Sequence, residues 1–263
     1  MGTERNTVSG YDDRVVSDFA RLLEDDAQRL MATGFVPSAC HVVVMVASGP
    51  GSVEPSAAMA RVAGRLRARL TPAGRNVVLR EGRARAVGVC GLDEAAGYGQ
   101  LIAEIDRVLC ELSRRERVLV AAAGRPVAGT AGIIDSYRQA ARALDQRMRI
   151  RQRAPTLTFD DAVAYEVIRA SPAWAAELMA PIRPLLDGAS PAERSELLDV
   201  LQAYLDTSGN VLAAAELVTM GRRTFYRRLQ RIGELLESDR ADGRVRFRLE
   251  LGLRAYRLWD GKL

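Results

Sequence analysis

The residues with the clearest chemical potential are arginines near the C-terminus. Between Met220 and Gln230 the chain has four arginines and no acidic residue. A guanidinium group can donate two parallel hydrogen bonds to guanine or neutralise a phosphate. The same segment carries an apolar stripe at helical spacing, formed by Phe225, Leu229, Ile232 and Leu236. A helix that buries this stripe presents its arginines on the other face, so the pattern predicts a DNA recognition helix starting near Arg222.

The residues just before this helix predict the first half of a helix-turn-helix. Asn210 can cap a short helix that ends near Val218. The alanines at 213–215 keep its surface small, so that a second helix can cross it closely. The turn falls at Thr219–Gly221, and Gly221 is predicted to adopt a left-handed conformation there.

A third helix is predicted upstream of these two. Ser190 can cap its free amides, Pro191 suits the first helical position, and Glu193 completes a capping box. The apolar pattern extends this helix to about Leu205. The three helices together predict a small trihelical DNA-binding domain.

The alternative is a solvated arginine face without function. All but Lys262 of the 38 basic residues are arginine, which is typical of a protein from a GC-rich genome. The distribution of charge favours the DNA-binding interpretation. Residues 208–263 contain 12 basic and 7 acidic residues and carry a net charge of +5, which equals the formal charge of the whole chain.

The central part of the chain has a mixed α/β pattern. Apolar runs at 40–47 and 118–123 predict buried strands. Further strands are expected at 76–79, 84–90 and 156–159, and helices at 55–70, 93–114 and 131–149. The order β-α-β-β-α-β-α-β predicts one sheet with helices packed on it, an α+β domain related to the split βαβ plan.

This central domain shows no catalytic signature. The hairpin signal Arg80-Glu81-Gly82-Arg83 contains one acid, with no neighbouring acid to help hold a metal. The common nucleotide-binding glycine loops are missing. His41 is the only histidine and is expected to be structural, and Asp160-Asp161 are expected to cap a helix. Because no Cys, His and acid combination supports nucleophilic chemistry, we expect no enzyme activity, cofactor or metal.

Several of these residues resemble a known family. The segment 197–206, Gly209-Asn210, Ala214-Ala215, Arg222 with Thr224, and Arg228-Leu229 with Arg231-Ile232 are similar to the C-terminal domain of PucR/CdaR-type transcriptional regulators. The last two helices also resemble the DNA-binding end of Fis. Upstream, Gly124-Arg125-Pro126 and residues 136–140 are similar to the degenerate GGDEF-like domain that precedes this helix-turn-helix in the family.

The chain departs from the family pattern where DNA sequence would be read. Gly221-Arg222-Arg223-Thr224 stands where members usually carry a His-Arg-Asn-Thr type sequence. Tyr226 comes one position earlier than the usual Tyr-Arg pair, and Gln139 replaces the usual acidic residue after Ser-Tyr. These departures suggest that the DNA sequence recognised differs from that of other members.

The resemblance implies which side chains touch DNA. Arg222 and Thr224 would contact it at the helix N-terminus and Arg227 would contact the adjacent backbone, while Arg228 could equally bond within the domain. The full expected set of DNA-binding residues is Arg222, Arg223, Thr224, Tyr226, Arg227 and Arg231.

The sequence thus predicts four segments. They are an N-terminal tail and amphipathic helix (1–37), a degenerate GGDEF-like α+β domain with a ferredoxin-like sheet (38–170), a helical linker (171–189) and an all-α helix-turn-helix domain (190–263). The N-terminal helix either packs on the next domain or dimerises as a coiled coil. Without a targeting or membrane-spanning segment in the sequence, we expect a cytoplasmic protein that contacts no membrane.

The expected function is a bacterial transcriptional regulator that binds promoter or operator DNA as a homodimer or higher oligomer. RNA polymerase is a candidate further partner. Two alternatives stay open. The central domain could bind a nucleotide or metabolite effector, so that the protein is a ligand-responsive switch, or the chain could be a protein-interaction module that only keeps the helix-turn-helix fold.

Overall fold

The computed structural model describes residues 38–48, 55–71, 77–81, 85–113, 119–150, 155–237 and 242–259. The chain divides into two compact units, the first ending at Val163 and the second starting at Ala164. The predicted N-terminal helix lies outside the described residues, as do positions 82–84 of the predicted hairpin turn.

The first unit is built on a six-stranded sheet with the order β2-β3-β1-β4-β6, and β5 pairs with β1. All neighbouring strands are antiparallel except β4 and β6, which are parallel. The strands are β1 (Cys40–Ser48), β2 (Val77–Glu81), β3 (Arg85–Leu92), β4 (Leu119–Ala123), β5 (Val127–Ala128) and β6 (Thr156–Thr158).

Strand β1 lies at the centre of this sheet, and helices cover both of its faces. Val42, Val44 and Val46 pack in one core with helices α1 (Pro55–Leu70) and α2 (Tyr98–Ser113). Successive side chains of a strand point to opposite faces, and Val43 and Met45 are also buried. Helix α3 (Ile133–Arg147) packs against β1 and β4. The uninterrupted apolar run that predicted a buried strand therefore reflects burial on both sides.

The predicted order of strands and helices is confirmed, with two differences. The sequence interpretation missed β5, because two residues are too few to show an alternating pattern. The helix expected from residue 93 begins at Tyr98, after a 3₁₀ turn at Ala95–Gly97. The unit is the predicted α+β domain.

His41 has the structural role expected of it. The ring is fully buried, and its Nδ1 lies 3.0 Å from the Gly129 carbonyl oxygen, to which it donates. The Ser38 amide donates to its Nε2 at 3.1 Å. Burial lowers the pKa of His41, and the bond to Gly129 partly opposes this shift. A neutral imidazole with both nitrogens satisfied holds β1 to the turn after β5.

The second unit is helical. Helix α4 (Phe159–Arg169) crosses the division between the units, and the helices that follow are α5 (Ala175–Met179), α6 (Arg183–Gly188), α7 (Pro191–Asp206), α8 (Val211–Leu217), α9 (Arg222–Leu236) and α10 (Gly243–Trp259). The predicted cap of α7 is present, because the Ser190 hydroxyl accepts the Glu193 amide at 3.4 Å. All five helices from α6 through α10 contribute to the core of this unit, with buried residues such as Leu185, Leu201, Phe225 and Leu253.

Trp174 keeps 63% of its surface exposed. It lies in a one-turn 3₁₀ helix (Pro172–Trp174) between α4 and α5. Among the described residues, no helix has the length and apolar character needed to cross a membrane.

Candidate nucleic-acid interface

Helix α8 forms as the sequence predicts. The Asn210 side-chain oxygen accepts the amides of Leu212 at 3.1 Å and of Ala213 at 3.2 Å, which fixes the start of the helix. Ala214 and Ala215 are buried where α8 packs against α7 and α9. Because these side chains are small, α9 can lie close to α8, as in a helix-turn-helix.

The turn between α8 and α9 differs from the prediction. The left-handed residue is Thr219, with φ of 53°, whereas Gly221 has φ of −61° and ψ of 137°. Gly221 therefore occupies the extended N-cap position of α9. The Met220 amide reaches back to the Ala215 carbonyl at 2.9 Å and closes α8. The chain has already changed direction before Gly221, so the left-handed conformation falls on Thr219.

Helix α9 has the two faces expected from its sequence. Phe225, Leu229, Ile232 and Leu236 are buried in the core of the unit. Arg222, Arg223 and Arg227 are exposed, and Thr224 is half-buried. Tyr226 keeps 46% of its surface exposed, and the Arg222 guanidinium carbon lies 5.7 Å from the centre of its ring. The expected contact residues of the first two turns are thus presented together.

The arginines of α9 fall into two electrostatic groups. Arg228 Nη2 lies 2.5 Å from Glu196 Oε2 on α7. Arg231 Nε lies 3.6 Å from Glu193 Oε1, and its Nη2 donates to the Gly188 carbonyl at 3.4 Å. Within the described part of the chain, Arg222, Arg223 and Arg227 form no ion pair. We call these three the unpaired α9 arginines.

The N-terminal end of α9 adds to this positive potential. Gly221 provides no side-chain cap, and the first turn contains no acidic residue. The aligned peptide dipoles of a helix place partial positive charge at its N-terminus, which favours anions there. The unpaired α9 arginines and the helix end therefore attract the same kind of ligand.

The sequence interpretation missed the acidic partners on α7. Glu193 and Glu196 are three residues apart on α7, as Arg228 and Arg231 are on α9, so each pair shares one helix face. This matching spacing is the signal that could have revealed the contact. The structure confirms the suggestion that Arg228 bonds within the domain. It also ties Arg231, one of the expected DNA-binding residues, to carboxylates on α7 and α9.

The sequence features singled out in the first unit have structural roles. Arg125 Nε donates to Asp160 Oδ1 at 2.7 Å, and its backbone amide donates to Gln139 Oε1 at 2.8 Å. The cap of α4 is Thr158, which accepts the Asp161 amide at 3.2 Å and donates its hydroxyl hydrogen to the Asp161 carboxylate at 2.7 Å. Of the two acids expected to cap a helix, Asp161 takes part in the cap and Asp160 pairs with Arg125.

The candidate hairpin of this unit is formed by β2 and β3, which pair from Val77 with Cys90 to Glu81 with Ala86. A group of three or more metal-ligating side chains does not occur within the described ranges.

The comparison with solved structures finds the crystal structure of the regulator of polyketide synthase expression from Bifidobacterium adolescentis. The two chains share 18% sequence identity, with a TM-score of 0.37, over 92% of this chain and 96% of that chain. The comparison with curated proteins found no match.

Two family models match the sequence. The model of the GGDEF-like domain matches residues 23–146. The model of the PucR C-terminal helix-turn-helix domain matches residues 197–255, which begin within α7 and end within α10. The two domains stand in the order that the sequence resemblance implied, a GGDEF-like domain followed by a PucR C-terminal helix-turn-helix domain, which is consistent with a PucR/CdaR-type transcriptional regulator.

Proposed function

We propose that this regulator binds specific sequences in double-stranded DNA through α9, and that it does so as a homodimer or higher oligomer. The observation that carries the proposal is the set of unpaired α9 arginines. Three exposed cations on the first two turns of a helix, without carboxylate partners among the described residues, are suited to enter the major groove.

The proposed contacts follow the position of each side chain on α9. Arg222 and Thr224 lie at the helix N-terminus, which approaches base edges in a helix-turn-helix complex. Arg227 lies one turn further along and neutralises a backbone phosphate. Arg223 and Tyr226 flank these positions. Arg231 lies one turn beyond Arg227, is paired with Glu193 and Glu234, and orients α9 on α7.

An oligomer follows from the size of the contact. One small helix-turn-helix unit covers little DNA, and such units reach high affinity by placing two copies on half-sites about one helical turn apart. Sedimentation of the full chain, alone and with its duplex, tests this step. We expect two or more chains per duplex; one chain per duplex would contradict it.

The test of DNA recognition is selection of bound duplexes from a random library by the full chain, followed by affinity measurements on the selected sequence. Arg222→Ala should lower affinity for the selected duplex by roughly 1–3 kcal/mol and relax the preference at one base position. Arg65→Ala removes an exposed arginine from α1 in the first unit and serves as the matched control. If Arg222→Ala binds the enriched sequence with the same affinity as the wild type does, the assignment of Arg222 is contradicted.

A further inference from the structure

A second group of cations lies at the start of α10, outside the candidate interface described above. Arg244, Phe247 and Arg248 are exposed and follow one another at spacings of three and one, so they share one face of the helix. Phe247 keeps 63% of its surface exposed. We call these three residues the α10 basic face.

The arginines of α10 differ in their pairing along the helix. In its C-terminal half, Arg254 Nη2 lies 2.8 Å from Glu250 Oε1, and Arg257 Nη2 lies 3.5 Å from Asp199 Oδ1. At the other end, neither Arg244 nor Arg248 forms an ion pair with any residue that the structure describes. The same division into paired and unpaired arginines occurs on α9.

The position of these cations opposes the helix's own electrostatics. A helix N-terminus carries partial positive charge, which disfavours basic side chains in the first turns. The first turn of α10 has no acidic residue. Asp242 directs its Oδ1 to the backbone amides of Arg244 at 2.7 Å and Val245 at 3.3 Å, as a helix cap. An exposed phenylalanine between two cations adds apolar surface in water. A polyanionic partner with apolar faces would offset both costs.

We propose that the α10 basic face binds the sugar-phosphate backbone of the DNA duplex, outside the segment read by α9. This inference rests on the proposed function. Arg244 and Arg248 neutralise phosphates, and Phe247 packs against deoxyribose. The unpaired α9 arginines lie in the first two turns of a 15-residue helix that is about 22 Å long, and the α10 basic face follows the C-terminal end of α9 along the chain. Cations distributed in this way suit a duplex, whose phosphates continue along its length, better than one small anion.

The experiment compares the full chain with the double variant Arg244→Gln/Arg248→Gln, on the selected duplex with long flanks and on a random duplex of equal length. The matched control is Arg65→Gln/Arg69→Gln, which removes two exposed arginines at the same spacing from α1. We expect the slope of log K against log salt concentration to become shallower by about 0.9 per arginine lost in each bound chain. The loss of affinity should be equal on both duplexes, with the base preference unchanged.

Two further measurements sharpen the test. On a duplex trimmed to the selected core, wild type and double variant should bind equally, because the flanking phosphates are gone. Phe247→Ala should weaken binding to the long duplex without changing the salt slope, since it removes no charge.

The possible outcomes separate this inference from the proposed function. If the wild type binds its selected duplex and the double variant keeps the wild-type salt slope, the proposed role of α10 is overturned and the role of α9 stands. A wild type that retards no duplex overturns both. If the double variant binds DNA as the wild type does but loses binding to vesicles containing anionic lipid, the α10 basic face binds a membrane surface. That outcome also overturns the inference.

Discussion

Gly124 and Ser136 lie so close together that position 124 has no room for a side chain. A Cβ placed on Gly124 would be 2.1 Å from the Ser136 carbonyl oxygen and 2.5 Å from its Oγ. The same hydroxyl accepts the Val43 amide at 3.0 Å and donates to the Arg125 carbonyl at 2.9 Å. Strand β1 pairs with β5 at Cys40 and His41 and with β4 from Val44 onward. The Val43 amide lies between these two sets of strand pairings, and Ser136 provides its hydrogen-bond acceptor.

Gly124→Ala is therefore expected to destabilise the first unit, because α3 would have to move away from the sheet. Ser136→Ala leaves the Val43 amide without its partner, and an unsatisfied buried group costs about 1–3 kcal/mol. Hydrogen exchange of peptides covering β1 measures both effects, as faster exchange. Gly99→Ala is the control, since a Cβ there meets nothing within 4 Å and alanine is the better helix former. Unchanged exchange in Gly124→Ala would contradict the packing argument.

The residues around Gly124 and Ser136 illustrate how far the sequence alone could lead. The apolar runs predicted β1 and β4 because burial on both faces leaves a continuous pattern. The resemblance marked positions 124–126 and 136–140, but it did not explain them. Their role depends on the distance between α3 and the sheet, which a linear pattern does not contain.

The same limit applies to the candidate interface. The apolar stripe of α9 predicted which face is buried, and its arginines predicted the exposed face. The division into paired and unpaired arginines depended on Glu193 and Glu196, which lie more than 30 positions earlier in the chain. Residue type alone predicts the left-handed conformation of the turn at Gly221, whereas the structure has it at Thr219, just after the end of α8.

Arg227→Ala should weaken binding to all duplexes alike, because a phosphate contact carries no sequence information. The slope of log K against log salt concentration should become shallower by about 0.9 for each bound chain. Titrations of selected and random duplexes at several salt concentrations measure both quantities. A variant that keeps the wild-type slope does not support a phosphate contact at this residue.

Arg228→Ala, the neighbouring substitution, should behave differently. It removes the same charge, but the guanidinium is paired with Glu196, so the salt slope should stay close to that of the wild type. The expected loss is in stability of the second unit, and a partly exposed ion pair contributes up to about 1 kcal/mol.

Urea unfolding followed by tryptophan fluorescence reports the Arg228 effect, because Trp174 and Trp259 both belong to the second unit. A double-mutant cycle with Glu196→Ala isolates the pair. Equal changes of salt slope in Arg227→Ala and Arg228→Ala would refute the division of α9 arginines into two groups.

Asp106 on α2 gives the first unit a pH-dependent stability. Burial raises the pKa of its carboxyl from 3.8 to about 6, and the contact with Thr156 and the charge of Arg147 oppose part of this shift. The Thr156 amide donates to Asp106 Oδ1 at 3.0 Å, which joins α2 to β6. Because the folded carboxyl binds its proton more tightly than the unfolded one, this group favours folding most at low pH. The contribution declines as the pH rises from 3.8 through 6.

Asp106→Asn removes this titration while its amide oxygen can still accept the Thr156 amide. The variant should therefore be more stable than the wild type at pH 7.5, by at most about 3 kcal/mol, and the difference should shrink toward zero near pH 4. The lowered pKa of His41 acts in the opposite direction, but it is common to both proteins and cancels in the difference. Hydrogen exchange of peptides from α2 and β6, corrected for intrinsic rates at each pH, measures that difference. A constant difference between pH 4 and 7.5 would show that the Asp106 carboxyl keeps an ordinary pKa in the folded chain.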